Sequence, residues 1–121
     1  MAYLLPSFKT SFSGVTLIIV PTRELCRQVR DFLYRLRPRN STVAIHGGIS
    51  IEKQLRLISK NIEYIVATPG TLWDICQSDE GSVLVEKLSS NEARLIIDEA
   101  DKLFEMRKFE ELDNLLRFFY R

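Results

Sequence analysis

An α/β fold built on a largely parallel sheet is predicted by two features: four short apolar runs rich in β-branched residues, and a helix-period apolar pattern after each of them. A third feature bears on function. Every run ends in turn or polar residues, and an open parallel sheet binds ligands at the carboxyl ends of its strands. The 121 residues suffice for one domain. A content of 45% hydrophobic and 27% charged residues excludes a disordered or fibrous chain.

The first run, Thr16 to Val20, lies between Gly14 and Pro21 and has the unbroken apolar character of a strand buried on both faces. Thr22 can cap a following helix in which Leu25, Val29, Phe32, Leu33 and Leu36 recur at steps of three and four, and Pro38 closes it. Thr42 to His46 reads as a second strand and Gly47-Gly48 as a tight turn. Ser50 then caps a helix with Ile51, Leu55 and Ile58 on one face. Glu63 to Ala67 is the third strand. Thr68-Pro69-Gly70 opens a short helix through Trp73 and Ile75, with Pro69 at the position where a missing N–H costs nothing. Ser78 to Gly81 reads as loop, and Val83 to Leu88 as either a helix or a docking segment. Arg94 to Ile97 is the fourth strand. A single amphipathic helix is expected from Leu103 to Tyr120, with Phe109, Leu112, Leu115, Leu116 and Phe119 facing inward.

Cys26 and Cys76 are the only cysteines, and their spacing fits neither a redox pair nor a zinc knuckle, so a reducing intracellular setting is expected. No apolar run approaches the roughly 18 residues of a membrane span. Met1 to Phe8 lacks a basic leader region and a small-residue cleavage site, and is read as part of the fold. The net charge of +1 conceals two poles. Arg23, Arg27, Arg30, Arg35, Arg37 and Arg39 stand against Glu24 and Asp31 for a local +4, while Asp98 to Asp113 holds seven acidic and three basic residues for −4. A solvated helix face accounts for the arginines as well as a polyanion-binding face does.

The fourth strand ends in Asp98-Glu99-Ala100-Asp101. Carboxylates this close repel unless a cation or hydrogen-bond donors compensate, and Mg²⁺ would do so. A strand-terminal acid that holds Mg²⁺, followed by a carboxylate that orients water, is the Walker B arrangement of P-loop NTPases. The plain alternative is an acidic first helical turn favoured by the helix dipole. At the other strand ends, Gly47 and Gly48 allow close backbone approach, and Thr22 and Thr68 offer hydroxyls beside helix N-termini, which together suit a phosphodiester track. His46 has no cysteine or second histidine near it and is not read as a metal ligand, and Trp73 is read as core.

The ordered set PTRELCRQ (21 to 28), GG (47 to 48), ATPG (67 to 70) and IIDEAD (96 to 101) closely resembles the first RecA-like domain of DEAD-box RNA helicases. AYLLPSF (2 to 8) looks like the helix that follows that family's P-loop. ATPGTLWDI (67 to 75) and the stretch from Phe109 to Leu116 resemble a nucleolar subgroup acting in large ribosomal subunit assembly. The resemblance implies an ATP-dependent RNA helicase that uses ATP and Mg²⁺, remodels RNA or RNA–protein complexes in ribosome biogenesis, and works in the nucleus or nucleolus. By the same resemblance, Asp98 would hold Mg²⁺ through water, Glu99 would activate the hydrolytic water, and Asp101 would link nucleotide state to RNA. Thr22, Arg23, Gly48, Thr68 and Gly70 would line the RNA backbone, with Glu24 orienting that surface. Such contacts fix register without reading sequence, so no DNA specificity is expected.

Two positions depart from the family pattern: Thr71 stands where an arginine usually follows TPG, and Cys26 replaces a frequent alanine. The loss of that arginine implies a weaker phosphate contact, whereas Cys26 is small enough to pack. The Walker A pattern is also missing: Lys9-Thr10 follows Phe8, with Tyr3 where the first glycine belongs. Residues 1 to 121 are therefore expected to be a partial RecA-like ATP-binding domain without the P-loop, the Ser-Ala-Thr segment or the second RecA-like domain, and inactive as an ATPase alone. Two alternatives stand beside this reading. One is a non-catalytic RNA-backbone-binding or adaptor module that has lost its motor; the other is a fragment with an unpaired sheet edge and poor cooperative stability.

Overall fold

The fold was analysed in a computed structural model, which describes residues 14–37, 41–48, 50–58, 62–89, 93–105 and 109–119. Four parallel strands, β1 (Thr16–Ile19), β2 (Thr42–Ile45), β3 (Tyr64–Ala67) and β4 (Arg94–Ile97), form one sheet in the order β2-β3-β1-β4. All four expected strands are present, three of them one residue shorter than expected. Helices α1 (Arg23–Leu36), α2 (Ile51–Ile58), α3 (Pro69–Gln77), α4 (Ser82–Ser89), α5 (Ala100–Glu105) and α6 (Phe109–Phe119) connect or follow them. The segment expected as a loop before α4 contains a 3₁₀ turn, Asp79–Gly81, and α4 settles the choice left open for Val83 to Leu88 in favour of a helix.

Side chains alternate across the sheet, and the register keeps each face in line. Leu17, Ile19, Val43, Ile45, Ile65 and Ala67 point to one face, where Leu72, Ile75, Leu84, Leu103, Leu112 and Leu115 of the helices cover them. Ile18, Val20, Ala44, Tyr64 and Val66 point to the other, against Cys26, Val29 and Leu33 of α1. Ile18, Ile65, Leu72 and Ile75 are among the fully buried residues, and each such side chain contributes about 1.5–3 kcal/mol relative to exposure.

Two helix expectations are corrected. On α1 the buried residues are Cys26, Val29 and Leu33, whereas Phe32 and Leu36 are exposed at 38% and 50%. A stripe at 26, 29 and 33 faces β2 and β3; Phe32 falls to one side of it, toward β4, whose four residues are only half-buried. The single helix from Leu103 to Tyr120 is instead α5 and α6. Leu103 and Leu112 are buried in the same core. Nine residues at about 100° each would put them on opposite faces of one continuous helix, so a single straight helix could not bury both. Leu112 and Leu115 are buried as expected and Leu116 packs partly against them. The side chains of Ile51, Ile58, Phe109 and Phe119, and all of Pro38 and Tyr120, lie outside the described residues.

Cys26 and Cys76 are free and buried. The Cys26 thiol donates to the Val66 carbonyl at 3.2 Å, so it packs where alanine was the alternative. Burial pushes both thiols up from the ordinary 9.0 to about 12. A thiol that binds its proton more tightly when folded contributes stability below the unfolded pKa and loses it as pH rises toward the folded one. Stability is therefore expected to fall steadily between about pH 9 and 12, with a smaller slope in Cys26→Ala/Cys76→Ala. Urea midpoints at stepped pH values test this, and equal slopes in parent and variant would contradict it.

Candidate nucleic-acid interface

The sheet order sets four strand ends side by side. Asp98 N–H donates to the Ile19 carbonyl, Val20 N–H to Ala67, and Thr68 N–H to Ile45, so the chain leaves β4, β1, β3 and β2 along one edge. Each exit is a turn into a helix or toward one, and each carries the polar residues picked out from the sequence.

After β1, Thr22 has extended backbone and its Oγ1 accepts the Leu25 N–H at 3.1 Å, which starts α1. The cap uses the oxygen as acceptor and leaves the hydroxyl proton as a donor. Arg23, the first residue of α1, reaches across to β2's exit, where Nη1 donates to the Gly47 carbonyl at 3.4 Å. Gly48 has φ +94°, a conformation that L side chains rarely adopt, and a Cβ there would lie 2.8 Å from Arg23 Nη1. After β3, Thr68 precedes α3, whose first residue is Pro69; the Thr68 side chain makes no cap hydrogen bond.

Arg23, Gly47, Thr68, Gly70, Thr71 and Glu111 line one open groove. Of the proposed RNA-contacting residues, the structure thus brings Arg23, Thr68 and Gly70 into one groove, with Gly48 against Arg23 and Thr22 next to it in sequence. The groove offers one cation, two hydroxyls and two glycine backbones, a set that can hold a nucleic-acid backbone without reading bases. Glu24 is exposed in the first turn of α1.

Asp98 and Glu99 lie elsewhere on the same edge. With Leu25, Gln28, Phe32 and Arg35 of α1 they line an open recess beside the half-covered β4. Glu99 has φ +55°, the left-handed region, uncommon for a residue with a side chain and frequently found at functional sites. Its Oε2 is shut off from solvent without a hydrogen-bond partner, while Lys102 Nζ stands 3.5 Å away. Asp101 is exposed on α5 and lines neither the recess nor the groove. No group of three or more metal-ligating side chains occurs among the described residues. Mg²⁺ does not require one, since it keeps most of its waters and commonly uses one or two carboxylates together with phosphates. The Asp98–Glu99 pair fits that pattern.

Sequence reasoning missed three residues of the interface. His46 is 1% exposed, and its Nδ1 lies 2.7 Å from the Gly47 carbonyl. Gln54, also buried, donates from Nε2 to the His46 carbonyl at 3.2 Å. Together they hold the glycine turn from behind. The third is Glu111, brought to the groove by packing of α6 on α3. Its only sequence signal is its place four residues before the buried Leu115, on the same helix face.

Comparison with known proteins identifies the fold and the family. A solved DEAD-box helicase, Mss116 bound to ssRNA and UDP-BeF, superposes with a TM-score of 0.68 at 21% identity, covering 97% of this chain and 24% of that one. The yeast DEAD-box splicing factor Prp28 gives a TM-score of 0.63 at 28% identity over 93% of this chain and 25% of its own. In sequence, the chain is 40% identical over 108 residues to the ATP-dependent RNA helicase MAK5 of Lodderomyces elongisporus, covering 85% of this chain. It is 31% identical over 119 residues to the DEAD-box ATP-dependent RNA helicase RhpA of Helicobacter pylori, covering 94% of this chain. It spans only 12% and 23% of the length of these two relatives. Residues 1–120 match the DEAD/DEAH box helicase family model, and the fold and the strand-end motifs agree with it: the chain belongs to the DEAD/DEAH box helicase family.

Proposed function

We propose that residues 1 to 121 form the middle of the first RecA-like domain of an ATP-dependent RNA helicase that remodels RNA or RNA–protein complexes. The observation that carries the reading is the groove in which Arg23, Thr68 and Gly70 converge, on the same sheet edge as Asp98 and Glu99. In this reading Thr22, Arg23, Gly48, Thr68 and Gly70 contact the backbone of one RNA strand. Asp98 would help to hold Mg²⁺, Glu99 would act as the base toward water, and Asp101 would contribute contacts that relate nucleotide state to RNA. Mg²⁺ bound with ATP would screen the phosphate charge. A second RecA-like domain would complete the site.

The finer reading is a helicase of ribosome assembly in the nucleus or nucleolus. It rests on the segments 67 to 75 and Phe109 to Leu116, and the match to several proteins named MAK5 is in keeping with one subgroup. No helix among the described residues is long and apolar enough to cross a membrane.

Two measurements on the 121-residue chain test the proposal. Without a Walker A sequence it is expected to release no phosphate from ATP; RNA-stimulated release that disappears in Glu99→Gln would contradict the account. Single-stranded RNA is expected to bind weakly, with log K falling against log salt at a slope of about −0.7 to −1.4, as for one or two neutralised phosphates. A salt-independent affinity would exclude the groove as a phosphodiester track.

A further inference from the structure

In the proposed track Gly48 contacts the RNA backbone, and what a glycine backbone offers an anion is its N–H. Among the described residues the Gly48 N–H makes no hydrogen bond, and the residue is exposed. That N–H belongs to the peptide joining Gly47 to Gly48. Between two glycines no Cβ resists rotation of the peptide plane, and a half turn would exchange the N–H for the carbonyl, presenting an acceptor where a phosphate needs a donor. Something must hold the plane.

The buried side chain that does so is His46. A carbonyl has no proton to give, so at 2.7 Å from the Gly47 oxygen it is His46 Nδ1 that carries the hydrogen and donates it. A trans peptide points its C=O and N–H in opposite directions, so drawing the Gly47 carbonyl to the buried ring turns the Gly48 N–H away from it, to the exposed side. His46 is itself fixed: it is 1% exposed, and its own carbonyl accepts from Gln54 Nε2 at 3.2 Å. Arg23 Nη1 meets the Gly47 oxygen at 3.4 Å from an exposed side chain, a longer and weaker hold. The other ring nitrogen of His46, Nε2, is buried with no partner. An apolar residue would fill the place without that penalty, so packing alone does not account for a histidine here. We propose that His46 is a positioning residue for RNA binding, whose Nδ1–H holds the Gly47–Gly48 peptide in the orientation that presents the Gly48 N–H to a phosphate. The inference rests on the reading of the groove as a phosphodiester track.

The test compares two substitutions of nearly the same shape that differ in the donor. Asparagine can place its Nδ2 where His46 has Nδ1, whereas leucine has no hydrogen to give. His46→Leu is expected to bind oligouridine about fivefold more weakly than the unmutated chain, within the range of one hydrogen bond. His46→Asn should recover most of that loss, and far-ultraviolet circular dichroism confirms that each variant is folded. A second measurement needs no variant: in amide spectra of the unmutated chain, oligouridine should shift the Gly48 N–H, a reading that stands even where His46→Leu does not fold. An affinity in His46→Leu equal to that of the unmutated chain overturns the inference, as does a loss in His46→Asn as large as in His46→Leu, which would assign the effect to the ring's packing. A Gly48 amide that stays still while those of Gly70 and Thr71 shift overturns it too. In each of these cases the track stands. If the unmutated chain binds no oligouridine, the track itself fails and the inference falls with it.

Discussion

Gly81→Ala is expected to remove a large part of the chain's stability. Gly81 is buried at the end of the 3₁₀ turn between α3 and α4, and a Cβ there would collide with the backbone carbonyl of Ile75. That carbonyl cannot move aside. It accepts the Ser78 N–H at 3.1 Å and the Ser78 hydroxyl at 2.7 Å, and Ile75 itself is fully buried. Gly81 N–H in turn donates to the Ser78 carbonyl and Oγ, both at 3.1 Å, so the turn is held closed from both sides. The clash can be relieved only by moving α4 off α3, which withdraws Leu84 and Leu88 from the core. A cost of roughly 3–4 kcal/mol is expected, at the severe end for a single substitution and a large part of ordinary domain stability. Thermal melting checks it: a midpoint within about 3 °C of the parent would contradict the collision.

Gly48→Ala should act in the opposite way, with modest loss of stability and a large loss of binding. The positive φ costs a side chain about 1–2 kcal/mol. The atom in the way is Arg23 Nη1, the far end of a flexible side chain, which moves with little penalty but in doing so leaves the Gly47 carbonyl and the groove. RNA affinity should fall about tenfold, as expected for a lost contact to a charged group. Arg23→Ala should cause a similar fall, and the double variant little more than either alone, because both remove the same guanidinium contact. Independent, additive losses would show that the glycine and the arginine do not act through one another.

The contrast between these two glycines shows what could be read in advance. Gly48 sits in a glycine pair just after an apolar run, and the strand–turn–helix rule marks that place as a ligand position before any coordinates exist. Gly81 carries no such mark, since its constraint comes from a carbonyl on another element. The strands were legible because apolar runs of four or five residues rich in β-branched side chains have few other uses. The stripe of α1 was only partly legible: periodicity shows that Phe32 and Leu36 are apolar but not how far the sheet beneath extends. Glu111 was hidden for a related reason. It follows Glu110 in an acidic helix and reads as solvated surface until α6 is packed on α3. Asp98, Glu99 and Asp101 were legible as a group, yet the structure separates Asp101 from the recess that holds the other two.

The strand order carries a consequence for how the molecule is made. β1 is synthesised before the other strands, yet its partners are β3 and β4, with β2 left on the outer side of β3. Leu17 and Ile18 therefore cannot complete their ladders until Tyr64–Ala67 and then Arg94–Ile97 have left the ribosome. Of the four described strands, the one at the centre of the sheet is translated first and is among the last to be finished, and its apolar residues must be shielded by something other than their final partners in the interval.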